Sequence, residues 1–433
     1  MSSTTLTAPR PLDSIATAVA PTLPVTIPAN APAAARAVLA LMQHLQHGTL
    51  EVECPDGSTL TFGRDAHHTS DASAAAPLHA SIQLKNWNAC AAALKSGDIG
   101  FAECFIAGDW STPNLPALLT LFIANRDAVE TLVYGRWWGS LLHRVRHLLN
   151  RNSRRGSQKN IHAHYDLGNA FYGLWLDPTM NYSSAWFDGD RSAALVPAQW
   201  AKVRRALTEC GVQCGDRVLE IGCGWGALAE CAARDFGAHV TGVTLSAEQL
   251  AWAQQRLSSA HLGADLRYQD YRALDASEPA ASYDAVVSIE MFEAVGREYW
   301  PSFFATLKAQ LKPGGIACVQ TITIRDDLFE RYVRSTDFIQ QYIFPGGMLP
   351  SPSAFRAAAA RAGLRVGNEL AFGLDYAETL RRWRDRFLQA DVQVRQLGFD
   401  TRFMRIWEFY LGYCEAAFAT GNTNVMQFTL HKD

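Results

Sequence analysis

The tightest restriction on the fold comes from Val218-Leu-Glu-Ile-Gly-Cys-Gly-Trp-Gly-Ala227, where an apolar strand runs straight into Gly222, Gly224 and Gly226 and a helical pattern follows. Missing Cβ atoms let a ligand press against the backbone, with a helix N-terminus behind it. Three glycines in five positions are too many for an ordinary turn. Taken alone the loop is ambiguous, because Gly222, Gly224 and Ala227 also satisfy the dinucleotide pattern G-x-G-x-x-[GA]. A dinucleotide site places an acidic residue about 20 positions on, to read a ribose. Here the second strand ends Val240-Thr-Gly-Val-Thr-Leu-Ser246, with no acid until Glu248. That weakens the nicotinamide reading.

Around the loop the pattern alternates. Arg217–Ile221, His239–Val243, Ala264–Tyr268, Tyr283–Ile289 and Ile316–Ile322 read as strands, with Ala227–Phe236 and Ala247–Leu257 as helices among them. This predicts an α/β fold with a mostly parallel, doubly wound sheet, and ligands at the carboxyl ends of its strands. Earlier in the chain, Gly48 to Phe62 alternates apolar and polar residues around Asp56-Gly57, a hairpin signature. Leu78 to Leu84 reads as another strand, Asn86 to Lys95 as a helix, and Leu115 to Ile123 as the start of a buried helix. The 433 residues therefore divide into a disordered tail rich in Ala, Pro and Thr (1–30), a small α+β domain (31–130), a basic link (131–160) and the doubly wound domain (161–433).

Composition sets limits on partners. Hydrophobic residues at 48% can bury sizeable cores, and a net charge of -3 excludes a globally basic nucleic-acid binder. No apolar run approaches the roughly 18 residues needed to span a bilayer. The start carries no secretory pattern. Nine scattered cysteines read as reduced thiols of a cytoplasmic protein. The spacing of Cys210 and Cys214 fits no zinc site, and His162 and His164 lack a third ligand, so no metal is expected. Residues 136–159 hold seven Lys or Arg and no Asp or Glu, with Trp138, Leu141, Leu142, Val145, Leu148 and Leu149 at helical spacing. Such a helix can lie on an anionic membrane surface or dock as an ordinary surface helix. Both need the apolar stripe.

The E-x-G-x-G-x-G spacing at Glu220–Gly226 resembles motif I of class I S-adenosylmethionine-dependent methyltransferases, and Gln269-Asp270-Tyr271-Arg272 stands where such enzymes hold the adenine. Further motifs narrow this. His164-Tyr-Asp-Leu-Gly-Asn169, Leu176-Asp-Pro-x-Met-x-Tyr-Ser183, Gly242-Val-Thr-Leu-Ser246, Met291-Phe-Glu293, Tyr342-Ile-Phe-Pro345 and Leu349-Pro-Ser351 together resemble cyclopropane-fatty-acyl-phospholipid synthases, over about residues 161 to 429. Gly108-Asp-Trp110 and the apolar helix after it look like that family's smaller N-terminal domain.

The resemblance implies a Rossmann-like class I methyltransferase domain that moves the methyl group of S-adenosylmethionine onto the cis double bond of an unsaturated phospholipid acyl chain. A bound bicarbonate then removes a proton and the cyclopropane ring closes. It implies a cytoplasmic enzyme peripheral to the inner face of the membrane, with a homodimer as an assembly open to it. Carried over by position, the cofactor site comprises Tyr182, Ser183, Glu220, Gly222, Gly224, Gly226, Thr244, Gln249, Asp270 and Tyr271. The bicarbonate site comprises Glu293, Gln320, Tyr376 and the backbone amides of Ser184 and Ile322. Cys414 matches a cysteine often assigned to the family's active site, although direct methyl transfer needs no covalent enzyme intermediate.

Three positions depart from the commoner family pattern. Ser184 replaces Cys in a role that uses only a backbone amide, and Ala294 replaces a His after Glu293. Gln320 replaces a His at the anion, where an amide can donate but neither titrate nor carry charge. The runner-up activity is a methyl- or methylene-branching C-methyltransferase on the same chains, without ring closure. A third reading, a lipid-binding protein on a dead methyltransferase fold, is opposed by the intact Gly222–Gly226 loop and Glu293.

Overall fold

The computed structural model describes residues 25–63, 78–126 and 167–433. The first 24 residues of the tail, the basic segment 136–159, and His162 and His164 lie outside them. Among the described residues no helix is long and apolar enough to cross a membrane.

The main sheet has seven strands: β5 (Arg217–Ile221), β6 (His239–Thr244), β7 (Asp265–Tyr268), β8 (Tyr283–Ile289), β9 (Leu311–Ile324), β10 (Arg365–Ala371) and β11 (Thr423–His431). Their order is β10-β11-β9-β8-β5-β6-β7. The five expected strands are β5 to β9, which pair in parallel. Helices cover both faces, so β5, β6 and β8 are near-continuous buried runs and do not alternate. From β5 the chain winds to β6 and β7 on one side, then returns to β8 on the other. The crevice of such a sheet opens at that reversal, beyond the carboxyl ends of β5 and β8. β11 comes after β10 in sequence yet slots between β10 and β9, antiparallel to both. Its register sets Gln427 opposite Gln320.

The smaller sheet, in the order β2-β1-β3-β4, is formed by β1 (Thr49–Glu53), β2 (Thr59–Gly63), β3 (His79–Leu84) and β4 (Trp110–Ser111). β1 and β2 are the expected hairpin, and β3 runs parallel to β1. The helix expected at 86–95 spans Asn88–Ala107 instead, with a break at Ser96 and Gly97. Burial of Ile99, Phe105 and Ile106 beyond the break carries it on, so packing overrides the glycine. Trp110 stacks on Phe101 at 4.2 Å between ring centroids and donates its indole N–H to the Phe101 carbonyl.

One apolar core joins this small unit to the large one. Leu115, Leu118 and Leu121 of the Leu115–Ala124 helix share it with Phe409, Tyr410 and Leu411 of the Thr401–Ala419 helix. A Cβ at Gly412 would lie 3.1 Å from Leu115, so that glycine sets the closeness of the two helices. Two further contacts tie the units: Asp98 accepts from the Phe338 amide and the Tyr413 hydroxyl.

Candidate active site

The carboxyl ends of β5, β6 and β8 surround a cavity of about 160 Å³, lined by Tyr182, Ser183, Glu220, Gly222, Gly224, Thr244, Gln249 and Tyr271. Gly224 has φ +48° and a Cβ there would meet nothing within 4 Å, so its bare backbone faces open space. Gly222, at φ +89°, has no room for a side chain because its Cβ would sit 2.9 Å from Met291. Glu220 is buried, and its Oε2 has no hydrogen-bond partner. Burial pushes its carboxyl well above the ordinary range. S-adenosylmethionine fits such a pocket: the Glu220 carboxyl in its lining offers an acceptor to its amine, and the bare glycine backbone leaves room for its body.

Two of the expected cofactor residues stand elsewhere. Gly226 caps the Ala227–Asp235 helix at φ +81°, and the space of its missing side chain is taken by Ala253, whose Cβ would be 2.8 Å away. It serves helix packing. Asp270 spends both carboxylate oxygens on the Arg272 guanidinium, at 2.6 to 3.1 Å. Gln269 and Arg272 line the cavity in its stead.

Beside this pocket the donors expected to hold bicarbonate come together, around a carboxylate that sequence reasoning did not name. Glu290 Oε1 accepts from the Ser184 amide at 2.8 Å and from Gln320 Nε2 at 2.7 Å, and Glu290 Oε2 accepts from the Tyr376 hydroxyl at 2.6 Å. The Ile322 amide donates instead to Glu293 Oε1, which also accepts from Thr321 Oγ1 at 3.0 Å. Ser184, Gln320 and Tyr376 thus gather on Glu290, and Glu293 with the Ile322 amide lies next to it. With three donors committed to a protein carboxylate, bicarbonate does not fit the position that the resemblance gave it.

The Glu290 backbone has φ +48°, in the left-handed region that costs any residue but glycine roughly 1–2 kcal/mol. Strain of this kind persists where surrounding contacts over-determine it, and it clusters at functional sites. Here the Glu290 amide is fixed by the Gln320 carbonyl at 2.8 Å, besides the three side-chain bonds.

Burial acts on both carboxyls. Burial raises Glu290, but Lys202 and the three donors pull it back. Burial, then the Glu290 charge, pushes Glu293 up to about 8. Glu293 keeps part of its surface accessible while its Oε2 is shut in without a partner, as suits a retained proton. With three donors on its oxygens and the Lys202 ammonium facing it, Glu290 is the better placed of the two acids to carry a negative charge.

The Lys202 ammonium that faces Glu290 comes from the Leu195–Glu209 helix. Lys202 is fully buried, and burial lowers it to about 8 against the opposing pull of Glu290, Asp177 and Glu220. Its Nζ donates to Ser183 Oγ and Asn181 Oδ1, while Gln199, one turn earlier, donates to the Ser183 carbonyl at 3.0 Å.

A family model for mycolic acid cyclopropane synthetase matches residues 152–428. The chain belongs to this family. The tuberculostearic acid methyltransferase of Mycobacterium tuberculosis is 40% identical over 350 residues, covering 78% of this chain and 80% of the relative. The cyclopropane-fatty-acyl-phospholipid synthase of Escherichia coli is 32% identical, covering 87% of this chain and 94% of the relative. Among solved structures, a mycolic acid cyclopropane synthase complexed with SAH and CTAB superposes with a TM-score of 0.59 at 32% identity, over 64% of this chain and 98% of that one. As a member of the mycolic acid cyclopropane synthetase family, the chain is an S-adenosylmethionine-dependent methyltransferase of the lipid-modifying kind.

In this family member an aromatic wall adjoins the two carboxyls. Tyr182 and Tyr410 share a hydrogen bond of 2.7 Å between their hydroxyls, and Tyr182 lies 5.6 Å from Trp383 and Tyr376 4.4 Å from Phe418 between ring centroids. Cys414 sits one turn beyond Tyr410. Burial drives its thiol well above the usual range, so it stays protonated and suits a wall better than a nucleophile. Glu290 and Lys202 were missed from the sequence. A signal for Glu290 existed, since Ser288-Ile-Glu290-Met-Phe-Glu293 carries two acids just past the ligand-facing end of a strand. Nothing local marked Lys202.

Proposed function

We propose that this enzyme methylates the cis double bond of unsaturated phospholipid acyl chains and that Glu290 itself serves as the base, giving a methylene-branched chain. The observation that carries the reading is the closure of the Ser184, Gln320 and Tyr376 donors on the Glu290 carboxylate. When bound, S-adenosylmethionine supplies an electrophilic methyl group to the alkene, which leaves a carbocation on the acyl chain. Tyr182, Tyr376, Tyr410 and Trp383 offer π-faces that favour such a cation and keep water from it. A hydrogen shift to the neighbouring carbon puts the positive charge on the carbon that bears the new methyl group. Glu290 then takes a proton from that methyl group, and the C–H electron pair becomes the C=CH₂ bond. The atoms balance without a reductant; a saturated methyl branch would need a hydride donor as well.

This favours the second of the two activities implied by the sequence. The more similar of the two relatives above is named a methyltransferase, and a tethered carboxylate replaces the bicarbonate on which ring closure was expected to depend. Ring closure remains the competing outcome, because the same base could act on the cation before the hydrogen shift. Approach to phospholipid from a membrane surface is supported by the basic segment 136–159.

The test is to incubate the protein with S-adenosylmethionine and vesicles of monounsaturated phospholipid, then analyse the released acyl chains by mass spectrometry before and after hydrogenation. A gain of one CH₂ that takes up hydrogen supports the branched product. A ring resistant to hydrogenation would restore the synthase reading, and unchanged lipid would sink both.

A further inference from the structure

Gln320 donates to Glu290 from an amide, and an amide can turn over to present its oxygen instead. A second set of contacts removes that freedom. Gln427, opposite Gln320 on β11 and 1% exposed, donates Nε2 to Gln320 Oε1 at 2.9 Å and to the Lys202 carbonyl at 3.2 Å. Its own oxygen accepts from Arg205 Nη1 at 2.5 Å. Arg205 is held in turn by Glu209 at 3.2 Å and by the face of Trp186 at 5.7 Å.

A guanidinium has donors only, and that fact fixes every orientation in the chain. Gln427 must turn its oxygen to Arg205, so its NH₂ faces Gln320. Gln320 must then turn its oxygen to Gln427, so its NH₂ faces Glu290. We propose that Arg205 and Gln427 are positioning residues, which lock Gln320 as a one-way donor to Glu290 and so let a neutral amide stand at the base. The proposal rests on the reading of Glu290 as the base. A titratable ring at position 320 would adjust its own protons to its neighbours, whereas the amide needs its polarity imposed from the far side.

The test uses full-length protein, with turnover on monounsaturated phospholipid vesicles measured against pH. Gln427→Glu keeps an acceptor for Arg205 but has no proton to give Gln320, so Gln320 is expected to turn its oxygen toward Glu290. The predicted result is a fall in kcat of roughly tenfold or more, with KM for S-adenosylmethionine within about twofold. The acid limb of the kcat profile should move up by about one pH unit as Glu290 loses a donor. Gln427→Met makes the same break without adding charge, and its limb should move in the same direction. Lys202, Tyr376 and Glu293 around Glu290, and Arg205 and Glu209 around position 427, are unchanged in both variants.

If both limbs and both kcat values stay at the wild-type level, the proposal is overturned. Should neither variant bind S-adenosylmethionine in calorimetry, Arg205→Lys against Arg205→Met decides. The donor-only lysine should keep the limb and methionine should move it, and equal behaviour of the two would refute the lock. Failure of the base reading is separately visible, because Glu290→Gly would then keep its turnover.

Discussion

Replacing Glu290 by glycine removes the carboxylate while suiting the backbone, since φ +48° is a conformation that glycine adopts freely. Relief of the left-handed strain, roughly 1–2 kcal/mol, exceeds the cost of the extra freedom of glycine in the unfolded chain, about 0.5–1 kcal/mol, so the fold should survive. Chemistry should not. Loss of a positioned base costs roughly 10²–10⁴-fold in rate, or about 3–5 kcal/mol of barrier. The vacated space keeps the Ser184 amide, Gln320 Nε2 and the Tyr376 hydroxyl, all within 2.6 to 2.8 Å of the lost oxygens, and the Lys202 charge beside them. That is a receptor for a small planar anion. Turnover of Glu290→Gly should therefore rise saturably with added bicarbonate, whereas wild-type turnover should not change in carbonate-free buffer. Substantial activity of the variant without added anion, or a wild type that stops when carbonate is removed, would refute the internal base.

Three other outcomes are expected. Glu293 binds its proton up to about pH 8 when folded, against an ordinary value of 4.5. Below pH 4.5 both states are protonated and no penalty arises; as pH rises from 4.5 to 8 the unfolded chain releases its proton first, so wild-type stability falls, and above 8 the deficit is constant. Glu293→Gln should escape this, with a melting-temperature advantage that grows through that window and then levels off. Gly224→Ala should weaken S-adenosylmethionine binding at least about tenfold in calorimetry, since its methyl group enters the cavity. Gly226→Ala should instead lower thermal stability, with binding changed by less than about threefold, because its Cβ meets Ala253. Changing Arg144, Arg146, Arg154 and Arg155 to Gln should reduce flotation with anionic vesicles at low salt; equal flotation would return the segment to a plain surface helix.

The parallel half of the sheet was legible because β5, β6 and β8 are short apolar runs between breakers. β9 was legible only from Ile316: it begins at Leu311 and passes through Pro313-Gly314-Gly315, residues that locally argue for a turn. β11 was missed although a local signal existed. Met426-Gln-Phe-Thr-Leu430 alternates as a half-buried strand would, yet all six residues from Val425 to Leu430 are buried, Gln427 and Thr429 included, so the pattern gives the strand without its central place in the sheet. The glycine loop could be read because its chemistry is local. Glu290 was marked only as a second acid past the end of β8; its role lies in donors at 184, 320 and 376 that only the fold brings together. Gly226 and Asp270 each fit a local motif, and the fold adds contacts with Ala253 and Arg272 that no local pattern shows.

The insertion of β11 between β9 and β10 also has a kinetic meaning. Every pairing that β11 makes is non-local with respect to β9, about a hundred residues upstream, and such contacts form late because the loop between them must first be closed. Until then β9 presents an open edge, a hazard for sticking to other chains. Gln427 arrives with that same strand. The orientation of Gln320 toward Glu290 is thus tied to the pairing of the last strand of the sheet, the one farthest along the chain from the glycine loop.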